Sequence, residues 1–226
     1  MPQLVGKEVG PIGFGLMGLT WRPTPPTQEQ AFEAMRAAIK HGYADKVVIS
    51  IKGGANPKTH QTDASPENTR RSLNDSIAQL KGRKMIDLFE FGRRDPNVPL
   101  DTTFGLIDRE YVQTGKIGGI SLSEVRAETI HEAVKHTKVL AVEVELSLFS
   151  TDVLENGVAT ACAKALSRRP GMPAIIPIPG ATTVDRMEEN SKLIDITDAE
   201  MEQIDAILSK FQPAGERYPP IIPTDT

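Results

Sequence analysis

The chain has 226 residues, 39% of them hydrophobic and 25% charged, which suits one domain with a substantial core in the size range of α/β barrels. A net charge of -4 gives no general attraction to nucleic acid or anionic membranes, so a phosphate-bearing ligand has to be held by a local group of donors. The single cysteine, Cys162, excludes an internal disulfide, and no apolar run approaches the roughly 20 residues of a membrane span.

The opening MPQLVGKEVG lacks the charged-then-apolar layout of a signal peptide, so the expected compartment is the cytoplasm, and the nucleus is also open. Residues 11–18 (PIGFGLMG) read as a strand entering a glycine-rich loop. Thr27 begins a helix with Gln30 as its capping-box partner; Phe32, Met35 and Ile39 recur at helical spacing, and Gly42 is a stop. The β-branched run 46–52 (KVVISIK) looks like a buried parallel strand. Ser65 and Pro66 open the next helix, with Leu73, Ile77 and Leu80 on its inner stripe.

A strand over residues 85–91 (MIDLFEF) follows, then a helix after Asp101 and a strand over 116–123 (KIGGISLS). A helix around 127–136 leads into a strand over 139–147 (VLAVEVELS). The small-residue stretch VATACAKA around Cys162 reads as a helix in which the thiol is packing material, and residues 174–179 (AIIPIP) as a strand. Two helices close the pattern. One starts near Thr183; the other starts at Thr197, is capped through Glu200 and carries Met201, Ile204 and Leu208 inward.

Strands alternating with helices imply parallel strands with helical crossovers, hence a doubly wound sheet or a barrel. Six strands are readable, whereas an eight-stranded barrel needs eight, because closure links strand number, tilt and stagger.

Two segments carry chemistry. In residues 176–190 (IPIPGATTVDRMEEN) a strand ends in Pro-Gly, hydroxyl side chains follow and a helix begins. Such a start offers unpaired N–H groups to an anion, and Arg186 could fork onto a phosphate; a capped helix with a solvated arginine fits the spacing as well. In SIKGG, residues 50–54, Lys52 lies on a strand read as buried, where an ammonium must be paired or lose its proton. The carboxyl end of a barrel strand is also where such barrels place their chemistry.

On these segments the chain resembles the aldo-keto reductases, most closely their pyridoxal-reductase branch. The resemblance implies an α/β fold, a TIM (β/α)8 barrel forming a single domain over residues 1–226. It implies NADPH as cofactor and a small-molecule aldehyde such as pyridoxal as substrate. Gly180, Thr182 and Thr183 match the loop at the 2′-phosphate, Arg186 the arginine on adenine and that phosphate, and Glu189 and Asn190 the pair reading the adenine amino group. An arginine there favours NADPH over NADH. Met17, Gly18 and Thr20 match the first-strand loop beside the nicotinamide, and Ser123 and Glu124 the positions holding its carboxamide, although Glu124 replaces the usual asparagine. Glu143 stands where a carboxamide-binding glutamine often sits; a strand carboxylate satisfied by a neighbour is equally open. Lys52 matches the catalytic lysine, whose family role is to lower the pKa of a proton-donating tyrosine from its ordinary value of about 10.

The chain departs from the family pattern at three places. Strand 2 and its helix, which carry the family's aspartate and tyrosine, are missing at an apparent junction near 42/43, where KHG runs into YADKVVIS. Strand 7 is missing at a second junction near 165/166, and Gly92 stands at the usual histidine position. Either the chain is a shortened one, or segments of a longer one are left out of it. Tyr43 is the sole phenol near Lys52 in sequence, with packing before a strand as its simpler role. His41 and His60 read as surface residues, and His131 and His136, five apart, suit no metal pair, so no metal site is expected. The expected function is NADPH-dependent reduction of pyridoxal or a similar aldehyde by a monomer or weak homo-oligomer that engages neither nucleic acid nor membrane. The alternative is a noncatalytic NADPH-binding or regulatory barrel that has lost the tyrosine and aspartate.

Overall fold

The structure, a computed structural model, describes residues 2–41, 47–166, 173–211, 214, 215 and 218. They fall into two compact units, Met1–Val47 with Ala174–Ile207, and Val48–Pro173 with Leu208–Thr226. The expected stop at Gly42, Tyr43 and the junction at 42/43 lie outside the described residues.

In the first unit, β1 (Gln3–Leu4) and β2 (Lys7–Glu8) form an antiparallel hairpin. Helix α1 (Gln28–His41) starts where Thr27 Oγ1 accepts the Gln30 N–H at 3.2 Å. Its buried residue is Ala34, while Met35 is half-buried and Phe32 and Ile39 are exposed. The inner face is therefore turned by one residue from the expected stripe. Periodicity marks which residues can be buried, and the neighbour chooses among them; here α1 packs on a short later helix, residues 184–190, and a small side chain suits close helix approach.

Residues 11–18 and 174–179 do not form full strands. They run parallel, with the Gly13 N–H donating to the Pro177 carbonyl (2.8 Å), the Gly15 N–H to the Pro179 carbonyl (3.0 Å), and one bridge between Gly15 and Gly180. Pro177 and Pro179 have no N–H to return, so the ladder cannot extend. Gly15 is required there because a Cβ would stand 2.5 Å from the Ile178 carbonyl oxygen.

The second unit holds a parallel sheet of β3 (Ser50–Gly53), β4 (Leu88–Phe91), β5 (Ile120–Ser123) and β6 (Val139–Glu143), in that order. Its crossovers are α2 (Pro66–Leu80), α3 (Leu100–Ile107), which runs on as a π-turn over Asp108–Val112, and α4 (Ala127–Ala133). Helix α5 (Val158–Leu166) packs on α4 and β6, and its span covers the second junction. Helix α2 starts as its sequence dictates: Ser65 caps the Asn68 N–H, Pro66 fills the first turn, and Leu73 is fully buried. Phe89, Ile107, Ile117, Ile120 and Ile130 complete the core.

Every residue of β4 and β5 is buried, whereas β3 and β6 are half-exposed because they are the edges of the described sheet. The run 46–52 is thus not the buried strand expected; only its last three residues join β3, and that strand has one neighbour. A closed barrel would pair its second and seventh strands on those two edges, the two strands missing from the sequence. Cys162 is buried, and burial pushes its thiol up to about 11, which suits a packing role rather than a reactive thiolate.

In the first unit, the short helix against α1 is α6 (Val184–Asn190), capped by Thr183, with Met187 inward. Helix α7 (Asp198–Leu208) has the expected reciprocal cap: the Thr197 N–H donates to Glu200 Oε2 (2.8 Å) and the Glu200 N–H to Thr197 Oγ1 (3.3 Å). Its intended inner face is not buried, since Met201 is exposed and Ile204 and Leu208 are only half-covered. No described element packs closely on α7 to bury them.

Candidate active site

Side chains alternate along a strand, so parallel register decides which of them share a face. Lys52 is paired with Glu90, Glu90 with Ser121, and Ser123 with Glu143. Those five polar residues therefore stand on one face of the sheet. The alternate positions pack the other way, with Gly53 against Ser72 of α2 and the Phe91 ring against Phe104 of α3 at 6.4 Å. Gly54, at φ +81°, ends β3 beneath Phe91; a Cβ there would overlap the phenyl ring. The SIKGG sequence is thus a lysine presented from a strand end that the aromatic core presses too tightly for any side chain.

Lys52 Nζ is 2.7 Å from Glu90 Oε1 and 2.8 Å from Glu143 Oε2, and it donates to Ser123 Oγ at 3.2 Å. The Glu90 side chain has no exposure, whereas those of Glu143 and Lys52 are 30% and 46% exposed. The Ser121 hydroxyl donates to Glu90 Oε2 over a short contact. The Lys52–Glu90 contact is an ion pair rather than an aligned hydrogen bond: charge is balanced there, but Oε1 accepts no well-directed proton.

Burial is the largest influence on Lys52 and works against its charge, yet the two carboxylates outweigh it and the ammonium pKa lies above its ordinary 10.5. Glu90 is pushed from its usual 4.5 up to about 7, by burial first and by the Glu143 carboxylate second, against the pull of Lys52 and Ser121. When all three groups are ionised the cluster carries one negative charge in excess, so a proton near neutral pH settles on Glu90.

Arg93 Nη1 donates to the same Ser123 Oγ at 3.2 Å and lies with its guanidinium 4.9 Å from the Tyr218 ring centre. Glu124, buried and at φ +50°, does not join Lys52; its Oε1 accepts the Glu145 N–H at 2.8 Å. Gly92 leaves room beside the lysine, since a Cβ there would sit 3.8 Å from Lys52 Cγ.

In the first unit, Thr183 Oγ1 accepts the Arg186 N–H at 3.3 Å, and Asn190 Nδ2 donates to the Gly180 carbonyl at 3.3 Å. Thr182 lies beside Gly18, half-buried. The Arg186 and Glu189 side chains are exposed, as are Met17 and Thr20. Among the described residues no group of three or more His, Cys, Asp or Glu side chains is placed to hold a metal, and no described helix is long and apolar enough to cross a membrane.

The structure thus gathers Lys52, Ser123 and Glu143 into one cluster, and Gly18 with Thr182, Gly180 with Asn190, and Thr183 with Arg186 into short-range pairs. Sequence reading missed Glu90, Ser121 and Arg93. A signal for Glu90 was present: a carboxylate inside LFEF, in a strand otherwise apolar, is costly to bury without a partner.

The model of the aldo/keto reductase family matches residues 43–172. The chain is 36% identical over 195 residues to probable pyridoxal reductase 2 of Schizosaccharomyces pombe, covering 73% of this chain and 58% of that protein. It is 35% identical over 195 residues to a putative pyridoxal reductase of Saccharomyces cerevisiae, covering 67% of this chain and 55% of the other. The chain therefore spans little more than half the length of these relatives. Among solved structures it is similar to a glycerol dehydrogenase of Gluconobacter oxydans, with a TM-score of 0.74 at 15% identity over 92% of this chain and 94% of that one. It is also similar to a thermostable aldo-keto reductase bound to the inhibitor epalrestat, with a TM-score of 0.70 at 18% identity over 91% and 98%. At such identities the likeness speaks for the fold, the α/β barrel architecture. The parallel sheet with its lysine-bearing third strand and the match across residues 43–172 lead to one assignment: this chain belongs to the aldo/keto reductase family.

Proposed function

We propose that the chain reduces an aldehyde with NADPH, with pyridoxal as substrate and pyridoxine as product. The observation that carries this reading is Lys52: an ammonium fixed at the end of β3 by Glu90 and Glu143, with nearly half of its side chain open. The names of the two yeast relatives support pyridoxal in particular.

The residues of the first unit fit the adenosine end of NADPH. The Arg186 guanidinium has no partner among the described residues and can fork onto a 2′-phosphate. Thr183 Oγ1 is used as an acceptor in the helix cap, yet its O–H is still there to donate to an anion. Asn190 donates to the Gly180 carbonyl, which leaves its Oδ1 to accept an amino N–H, as Glu189 can. In the second unit, Ser123 and Glu124 are the residues we assign to the nicotinamide end; Met17, Gly18 and Thr20 of the first unit carry that assignment on the family resemblance alone. When bound, the cofactor supplies the hydride. The protein's own contribution at the reacting centre is Lys52, whose ammonium places positive charge and a donor N–H at the carbonyl oxygen, gives that oxygen the proton that completes the alcohol and recovers one from water. Glu143 and Ser123 hold that ammonium in place.

Steady-state turnover of pyridoxal with NADPH tests this reading directly. Lys52→Met should lower kcat by about 100-fold or more, while NADPH binding, followed by quenching of Trp21, stays intact. Full turnover by the variant refutes the role of Lys52.

A second reading, a noncatalytic NADPH-binding or regulatory barrel, is favoured by the engagement of Lys52 and by the other described phenols. Tyr111 donates to Asn74 at 3.1 Å, and the Tyr218 hydroxyl lies 3.5 Å from Glu124 Oε1. Tight NADPH binding without NADPH oxidation selects it.

A further inference from the structure

Two buried carboxylates stand on β4 or at its entry, and their surroundings differ. Asp87 accepts the Ile49 N–H at 2.9 Å and pairs with Lys84 at 3.3 Å, so it serves the backbone. Glu90 receives no backbone donor among the described residues; its neighbours are the Ser121 hydroxyl and the Lys52 ammonium, which Glu143 also claims. Lys52 spans the distance between this sealed carboxylate and the open side of the sheet.

We propose that Glu90 is a positioning residue for Lys52 and switches it between two settings: ionised, it draws the ammonium down between two carboxylates; protonated, it leaves the ammonium to Glu143 alone, the setting that serves a substrate carbonyl. This rests on the reading that Lys52 acts on such a carbonyl. The groups facing the pair are few. Lys52 comes from β3, Glu143 from β6, and Ser121 and Ser123 from β5, while Arg93, just after β4, donates to Ser123 and lies over the Tyr218 ring. The Glu124 carboxylate is turned to the Glu145 N–H. Protonating Glu90 therefore takes the cluster from one excess negative charge to none.

The direction of the effect follows from charge. A lysine beside two carboxylates holds its proton more tightly, and its field at a carbonyl oxygen is more nearly cancelled, than a lysine beside one. Because the Glu90 carboxyl is pushed up to about 7, the change falls near neutrality and belongs to the Lys52–Glu90–Glu143 set as a whole. Turnover should fall as pH rises through that range.

Two readouts test the switch on the full chain. The first is competitive acetylation of Lys52, quantified by peptide mass spectrometry against exposed Lys81 as pH is raised. In the wild type the Lys52-to-Lys81 ratio should drop about fivefold through neutrality, the size set by a partly exposed ion pair. Glu90→Gln should abolish the drop, Glu90→Asp should retain it, and Glu143→Gln should move it to lower pH. The second readout is kcat for pyridoxal across the same range, which should show a one-proton decline in the wild type and a flat profile in Glu90→Gln. Equal ratios and equal profiles in the wild type and Glu90→Gln overturn the proposal. An acetylation switch in a chain that oxidises no NADPH keeps the positioning role and removes the reductase reading instead.

Discussion

The buried Glu90 makes stability depend on pH in a way that one substitution should erase. In the folded chain its carboxyl is pushed from the usual 4.5 to about 7, so the folded state binds that proton more tightly than the unfolded state. The stabilisation is complete below about pH 4.5 and is lost as pH rises through about 7. A displacement of that size corresponds to about 3 kcal/mol of unfolding free energy. Solvent screening does not reduce that figure, because the Glu90 side chain is sealed. Glu90→Gln keeps an acceptor for Ser121 and the shape of the side chain, so at about pH 5 it should cost only roughly 1 kcal/mol. By about pH 8 the variant should match or exceed the wild type, since it carries no charge to bury. Urea unfolding followed by circular dichroism at several pH values measures both curves. Parallel curves for the two proteins would show that Glu90 ionises normally and that its placement beneath Lys52 is wrong.

Two further outcomes follow from local geometry. Gly54→Ala puts a Cβ into the Phe91 ring at a φ of +81°, so it should lower stability by roughly 3 kcal/mol or more, read as a loss in urea midpoint; a neutral effect contradicts the β3 ending described above. Arg186→Ala should weaken NADPH by about 10- to 100-fold, the worth of a charged hydrogen bond, and leave NADH nearly unchanged in a fluorescence titration. Equal losses for both cofactors would rule out a 2′-phosphate contact.

How much of this was legible in the sequence depends on what each element needs from its neighbours. Helices with local instructions were readable at their starts: Ser65–Pro66, Thr27, Thr183 and the Thr197–Glu200 pair all cap as their residues dictate. Inner faces of α1 and α7 were not readable, because Phe32, Ile39 and Met201 are apolar at helical spacing whether or not another element covers them. The central strands β4 and β5 declared themselves through continuous burial, while residues 174–179 looked like a strand until the missing donors of Pro177 and Pro179 limited them to one bridge. Lys52 could be found through its strand end and its resemblance to the family. Its partner Glu90 lies 38 residues further along, and only the Lys52↔Glu90 register of parallel pairing brings the two together. The edges of the described sheet at β3 and β6 are the structural counterpart of the two strands by which the six counted in sequence fall short of eight.

The most direct measurement is the position of an aldehyde bound to the chain, in a crystal structure with NADP+ and pyridoxal present. The carbonyl oxygen should lie within hydrogen-bonding reach of Lys52 Nζ, on the face of the sheet that carries Glu143 and Ser123. An aldehyde bound away from that face, or Lys52 Nζ turned from it, would contradict the assignment of Lys52 to the reacting centre.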